Sequence, residues 1–365
     1  MQNAFLLFVA VFLLSGCTAL QPDEPKKDIL QHGPEPVAGI ATEIVAENLD
    51  IPWGIAFLSD GQLVFTERAG KVKLLDKGVV HEVAGVVHLG ESGLQGIAVD
   101  PNFKENGFVY LYYTYSRSNG LFNRVSRFIL SNNTLEKETV ILENIPGNVF
   151  HDGGRIRFGP DGKLYVATGD AGKAELAQDL NSLAGKILRL NPDGSVPADN
   201  PFGSLVYSFG HRNSQGFDWH PETGVLLATE HGSSKRDEVN LIIKGNNYGW
   251  PLKLCNEGIE AKAFVEALLC FDEWTLAPSG AAFYSGNKLQ LKNHFIYTGL
   301  RGEQLRVLSL ENGKILSDKK LLDGFGRIRD VVQGPDGWLY FATNNTDGRG
   351  SAKPGDDRIY RITAK

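Results

Sequence analysis

One phrase recurs six times along the chain and constrains the fold more than any other feature of the sequence. An apolar strand runs into a turn built on Asp, Pro, Asn or Gly, and a second strand of aromatic and β-branched residues follows. The copies are GIAFLSDGQLVFTE from Gly54, GIAVDPNFKENGFVYLYYT from Gly96, RIRFGPDGKLYVATGD from Arg155, GFDWHPETGVLLATEHG from Gly216, GAAFYSGNKLQLKNHFIYTG from Gly280 and DVVQGPDGWLYFATNN from Asp330. Several are followed by a further alternating strand, as in KVKLLD, KILRLNPDG, EVNLII, QLRVLSL and RIYRI. Shared among six units, the chain beyond its amino-terminal segment gives about 54 residues each, a four-stranded propeller blade with long loops.

A sheet of this kind cannot bury both faces by itself, and runs such as VYLYY and LYFAT read as strands covered on both sides. Radial stacking supplies that cover, so the chain is read as all-β, a six-bladed β-propeller. A β-sandwich or a pair of barrels would need no repeated phrase of this length. The 42 glycines among 365 residues fit a chain of turns and strands. The best helix candidate, Ala261–Leu269, is short and falls in an insertion.

The apolar run Ala4–Leu14 is too short to span a bilayer, and Leu14-Ser15-Gly16-Cys17 follows it. This resembles a bacterial lipoprotein signal, which implies cleavage before Cys17, a lipid on that cysteine, and a periplasmic or cell-surface location. The expected organisation is a signal peptide over 1–16, an anchor and flexible spacer over 17–40, and the propeller over 41–365. Outside the cytoplasm, Cys255 and Cys270 are an even pair free to bridge or to remain thiols. Neither lies in a CxxC pattern, so zinc is disfavoured. The net charge of −6, without a dense basic tract, leaves nucleic acid no electrostatic footprint.

In a propeller the ends of the inner strands converge on the central channel, so polar residues recurring there meet although distant in sequence. His151 stands just before an inner-strand pattern beside glycines; His211, Arg212 and Asn213 stand at the same point of the next unit. Arg301 takes that place in a third, and Arg327 and Arg329 in a fourth, two positions apart and so on one face of a strand. Arginines from separate units aimed at one axis repel unless an anion sits among them, which points to a polyanionic ligand. His151, the ring base in its glycine-flanked mouth, is the natural general base. Asp237 and Glu238 lie near carbonyl-rich turns that suit calcium, or cap backbone N–H groups. No P-loop, GxSxG elbow or dinucleotide fingerprint is present.

The phrases GESGLQGIAVDPNF, HDGGRIRFGPDGKLYVATGD, FGHRNSQG, EHGSSKRDEVNLIIKGNNYGWP and GRIRDVVQGPDGWLYFAT together resemble the soluble pyrroloquinoline quinone (PQQ) dehydrogenases of the glucose/sorbosone type, most closely the aldose sugar dehydrogenases. The likeness runs from about Glu43 to Ile362. It implies oxidation of the C1 hydroxyl of aldoses to lactones, with PQQ as cofactor, Ca2+ holding it, and a separate electron acceptor of unknown identity. By resemblance His151 is the base and Arg212 polarises the quinone carbonyl. Glu91, Asp170, Asn213, Arg301, Arg327 and Arg329 match cofactor-site positions. Gly232 and Ser233 match the backbone carbonyls that meet the PQQ-bound calcium, and Glu238 and the Tyr248 carbonyl match a second, structural calcium. Phe150, Ser233 and Arg301 stand where the glucose-oxidising branch has an acid, a proline and a lysine, and the chain lacks some of that branch's loops. A more open site taking mono- and disaccharides is expected, on a monomer whose membrane attachment is the lipid on Cys17 alone.

Two other functions compete. A calcium-dependent lactonase propeller would need acidic side chains at the channel centre, where arginines stand instead. A non-catalytic extracellular binding propeller would have no use for His151, Arg212 and Asn213 together.

Overall fold

Each copy of the repeated phrase folds as the inner hairpin of its own four-stranded antiparallel sheet, and the six sheets form a six-bladed β-propeller. The computed structural model describes residues 39–365 apart from 119, 258–262 and 312. The expected signal peptide, Cys17 and the spacer lie outside the described residues. The innermost strands are Pro52–Phe57, Leu94–Val99, Ile156–Phe158, Ser214–Trp219, Pro278–Phe283 and Ile328–Gln333. Five sheets are consecutive in sequence. The sixth takes its three inner strands from the carboxyl-terminal end and its outer strand, Ile40–Ala46, from the amino-terminal side, paired antiparallel to Ile359–Ala364.

The core is divided among the seams. Each of six apolar clusters joins two neighbouring sheets; one packs Val64, Val72 and Leu74 against Leu94, Val109 and Leu111, and another packs Ile55 and Phe65 of the first sheet against Tyr340 and Ala342 of the last. The VYLYY and LYFAT strands are buried along their length, as two-sided cover requires. The recurring glycine of the inner strand lets neighbouring sheets approach: a Cβ on Gly96 would overlap the Gly154 carbonyl, and one on Gly216 the Ser279 carbonyl. The recurring threonine of the second strand then satisfies the next inner strand, with Thr66 Oγ1 donating to the Gln95 carbonyl at 2.6 Å and Thr229 Oγ1 to the Ser279 carbonyl at 2.7 Å.

Polar residues fill the middle of the channel. Arg155 pairs with Asp330 at 2.8 Å, donates from Nε to the Gln215 carbonyl at 3.0 Å, and lies 4.5 Å from the centre of the Trp53 ring. Arg329 approaches the same ring, at 5.3 Å.

The helix expected at Ala261–Leu269 is absent from the described part of that segment. Residues 263–268 form a turn and irregular chain, and Leu269 opens the strand Leu269–Phe271. That strand pairs with Asp237–Val239, and the sheet's need for an outer strand overrides the weak local preference. Cys255 and Cys270 form a disulfide that pins this insertion to its sheet, with Cα atoms 6.0 Å apart.

Candidate active site

Three successive loops at one mouth of the propeller knit together around His151. The Gly169 backbone bridges to Asn213, Asp170 N donates to the Arg212 carbonyl at 2.8 Å, and Ala171 N donates to the His151 carbonyl at 3.1 Å. Gly169 permits this, because a Cβ there would overlap the His151 carbonyl. Asp152 anchors the loop from below. It accepts from Asn123 Nδ2 at 2.9 Å, Asn148 N at 3.0 Å and Ser92 Oγ at 3.0 Å. Burial pushes its carboxyl up to about 7, with those hydrogen bonds pulling the other way and Glu91 adding to the rise.

His151 itself takes a left-handed backbone, φ 60°, and its side chain is 17% exposed. Its Nδ1 lies 2.8 Å from Asp170 Oδ1. The same carboxylate accepts from Gly172 N at 2.7 Å and from Trp250 Nε1 at 2.9 Å, so it has no proton to offer and Nδ1 carries the hydrogen. Nε2 is thereby left as a lone-pair base held in one orientation. Asp170, expected among the residues lining a cofactor site, is instead engaged at both oxygens by these three donors.

Beside this pair a cavity of about 370 Å3 opens on the channel, lined by Glu91, Gln215, His231, Ala277, Leu300, Arg301, Glu303, Arg327, Arg329 and Arg349. The arginines expected from two separate units, Arg301 and the pair Arg327 and Arg329, therefore converge. Arg327 is tied to Asp347 at 2.9 Å, and Arg329 donates to Gln215 Oε1 at 2.6 Å while its Nε has no partner among the described residues. Burial, with Arg327 and Arg68 close by, pulls the Arg329 guanidinium down to about 9, so it remains a cation in neutral solution. Burial pushes Glu91 up, but Arg349 at 2.7 Å and the His151 backbone N–H outweigh it and hold the carboxyl at about 2.

Arg212 borders a smaller hollow alongside, together with Glu230, Gly232, Ser233, Glu238, Tyr248 and Trp250. Its backbone N donates to Glu230 Oε1 at 2.5 Å and its NH1 to the His231 carbonyl at 3.1 Å; the guanidinium lies 5.3 Å from the Trp250 ring, and Nε is without a partner among the described residues. Asn213 accepts from Gly153 N at 3.0 Å through Oδ1, and its buried Nδ2 is likewise unpaired among the described residues. His211, by contrast, is finished inside its sheet. Its Nδ1 meets Glu230 and its Nε2 meets Ser208, each at 2.8 Å, and its ring stacks on Tyr248.

Asp237 caps backbone groups, accepting from Gly232 N, Leu276 N and Ala277 N at 2.7–2.9 Å. Glu238 is buried next to Glu230 and accepts from Asn240 at 2.9 Å; burial first, and Glu230 second, push its carboxyl up to about 8. No group of three or more His, Cys, Asp or Glu is arranged for a metal among the described residues. Neither the Gly232 nor the Ser233 carbonyl accepts a backbone hydrogen bond among the described residues, so both are open to a hard cation.

Gln215, His231, Arg349 and Trp250 escaped the sequence reading. Gln215 was accessible, two residues beyond Asn213 and so on one face of the strand; Arg349 sits in an aperiodic loop that gives no such signal.

A propeller whose mouth holds an oriented imidazole beside converging guanidiniums is an enzyme-like scaffold for an anionic ligand. The model of the family described as "Glucose / Sorbosone dehydrogenase" matches residues 49–359, and the chain belongs to that family of sugar-oxidising enzymes. It is 32% identical over 342 residues to the aldose sugar dehydrogenase of Escherichia coli K12, covering 85% of this chain and 92% of that one. Its fold matches a glucose dehydrogenase from Thermus thermophilus with a TM-score of 0.82 and 42% identity, covering 89% and 100% of the two chains. The PQQ-bound aldose sugar dehydrogenase of Streptomyces coelicolor gives a TM-score of 0.80 and 37% identity, covering 91% and 100%.

Proposed function

We propose that the chain oxidises the C1 hydroxyl of aldose sugars, mono- and disaccharides, to lactones with PQQ as cofactor and His151 as general base. The observation that carries this is the 2.8 Å His151–Asp170 pair standing beside a cavity of about 370 Å3 lined by Arg301, Arg327 and Arg329. The donor set fits a tricarboxylated quinone: Arg329 Nε, Arg212 Nε and Asn213 Nδ2 are shielded polar atoms without partners among the described residues. When bound, PQQ supplies the quinone that accepts the two electrons leaving the sugar.

The protein's part is to bind, orient and move one proton. His151 Nε2 takes the C1 hydroxyl proton, and Asp170 holds the tautomer and offsets the charge the ring acquires. Arg212, braced by the His231 carbonyl and Trp250, sets a fixed positive charge beside the reacting carbonyl. Arg327, Arg329 and Arg301 hold carboxylates, with Asn213, Glu91 and Asp170 ordering the walls. Ca2+ would be held by the Gly232 and Ser233 carbonyls at the cofactor, and a second ion by Glu238, its neighbour Glu230 and the Tyr248 carbonyl.

We place the enzyme outside the cytoplasmic membrane as a monomer, tethered by a lipid on Cys17 and passing electrons to a separate acceptor; Cys17→Ala should release it from the membrane fraction. The central test adds PQQ and Ca2+ to the purified chain and follows the quinone spectrum and dye reduction with glucose and other aldoses. Absence of both a spectral change and dye reduction would overturn the reading. A cavity ringed by guanidiniums suits an anionic quinone better than the bare cation of a lactonase.

A further inference from the structure

His231 ends the hairpin strand Leu226–Glu230 that also supplies Glu230, and its main chain is fully employed. Its N–H donates to the Asn213 carbonyl at 3.1 Å and its carbonyl accepts from Arg212 NH1 at 3.1 Å, so the backbone orders two residues of the site. Its side chain is not used in this way. The ring lines the central cavity with Glu91, Gln215 and Arg329, and Nε2 is shielded from solvent with no hydrogen-bond partner among the described residues. On the other side of Glu230 in sequence, His211 shows what a purely structural imidazole looks like here, with both ring nitrogens satisfied by Glu230 and Ser208. A shielded polar atom left unpaired is a standing cost that an apolar residue of similar size would avoid, and such atoms are rare unless a ligand completes them.

We propose that His231 is a positioning residue for the quinone cofactor, its Nε2–H donating to an oxygen of PQQ in the cavity that also holds the unpaired Nε of Arg329. The inference rests on PQQ occupying this cavity, and it assigns His231 no part in proton transfer. Two donors from different sheets, one at the end of a hairpin strand of the fourth blade and one on the innermost strand of the sixth, then fix the ligand across the channel.

The test measures PQQ affinity of the full chain with Ca2+ present, by absorbance and by quenching of tryptophan fluorescence, alongside thermal unfolding without PQQ. His231→Leu should bind PQQ about tenfold more weakly while melting at or above the wild-type temperature without ligand, because the stranded nitrogen is gone. His231→Gln, which restores an N–H donor, should recover affinity to within about threefold. Wild-type affinity in His231→Leu, or equal losses in the Leu and Gln variants, overturns the proposal. If the Leu variant fails to fold, His231→Ala against His231→Gln decides in the same way. Failure of the wild-type chain itself to bind PQQ removes the functional reading and this inference together, whereas binding unaltered by His231→Leu removes only the inference.

Discussion

Replacing Asp170 with Asn tests the proposed proton transfer while leaving the anion-binding arginines in place. The carboxylate lies 2.8 Å from His151 Nδ1 and accepts from Gly172 N and Trp250 Nε1. An amide is nearly isosteric but carries no charge, and its NH2 must face either the imidazole or the indole, both donors. With charge centres roughly 5 Å apart and an effective dielectric near 20, loss of the carboxylate removes about 3 kcal/mol of stabilisation from the protonated ring. That corresponds to about 10²-fold in turnover, and more if the ring adopts the other tautomer. The assay is dye reduction at saturating PQQ, Ca2+ and aldose, with PQQ affinity measured separately. Asp170→Asn should lower kcat by about 10²- to 10³-fold and leave PQQ affinity within about threefold. Turnover within threefold of wild type, or affinity falling in step with turnover, would refute the argument.

Arg327→Ala should weaken PQQ binding by about tenfold through a lost carboxylate partner, read by titration; unchanged affinity would take Arg327 out of the ligand shell. Asp152, raised to about 7 in the folded chain, keeps a proton there that the unfolded chain releases above about pH 4. Its contribution to stability therefore falls as pH rises from about 4 to 7, and Asp152→Asn should flatten the decline in melting temperature over that window; an unaltered slope would contradict the assignment. Replacing Cys255 and Cys270 together opens a loop of 15 residues and should lower the unfolding free energy by about 3 kcal/mol, measured by denaturant titration.

The inner hairpins were legible because burial on both faces and the close approach of blades both leave marks on side-chain choice. The glycine opening the phrase and the threonine closing it are the residues that meet the next inner strand. The outer strands left little trace: Gly78–Glu82 and Thr134–Pro146 are largely exposed, so few of their positions must be apolar. Ile40–Ala46 carried no sign of its partner more than three hundred residues away, since strand pairing is encoded in the backbone. The same asymmetry holds at the site. Arg301, Arg327 and Arg329 announced themselves by recurring at equivalent blade ends, whereas the fate of each hydrogen bond of Asp170 and His231 depends on contacts between distant loops.

Because the final blade is assembled from both ends of the propeller's chain, its inner strand, which bears Arg329, gains its full set of neighbours only when the first-made and last-made segments meet. Synthesis must therefore be complete before the quinone has a finished place to bind. Trimming the strand Ile40–Ala46 would loosen the latch behind Arg327 and Arg329 without touching the site directly, and a ligand gripped by several blades would act in return as a clamp on the closed ring.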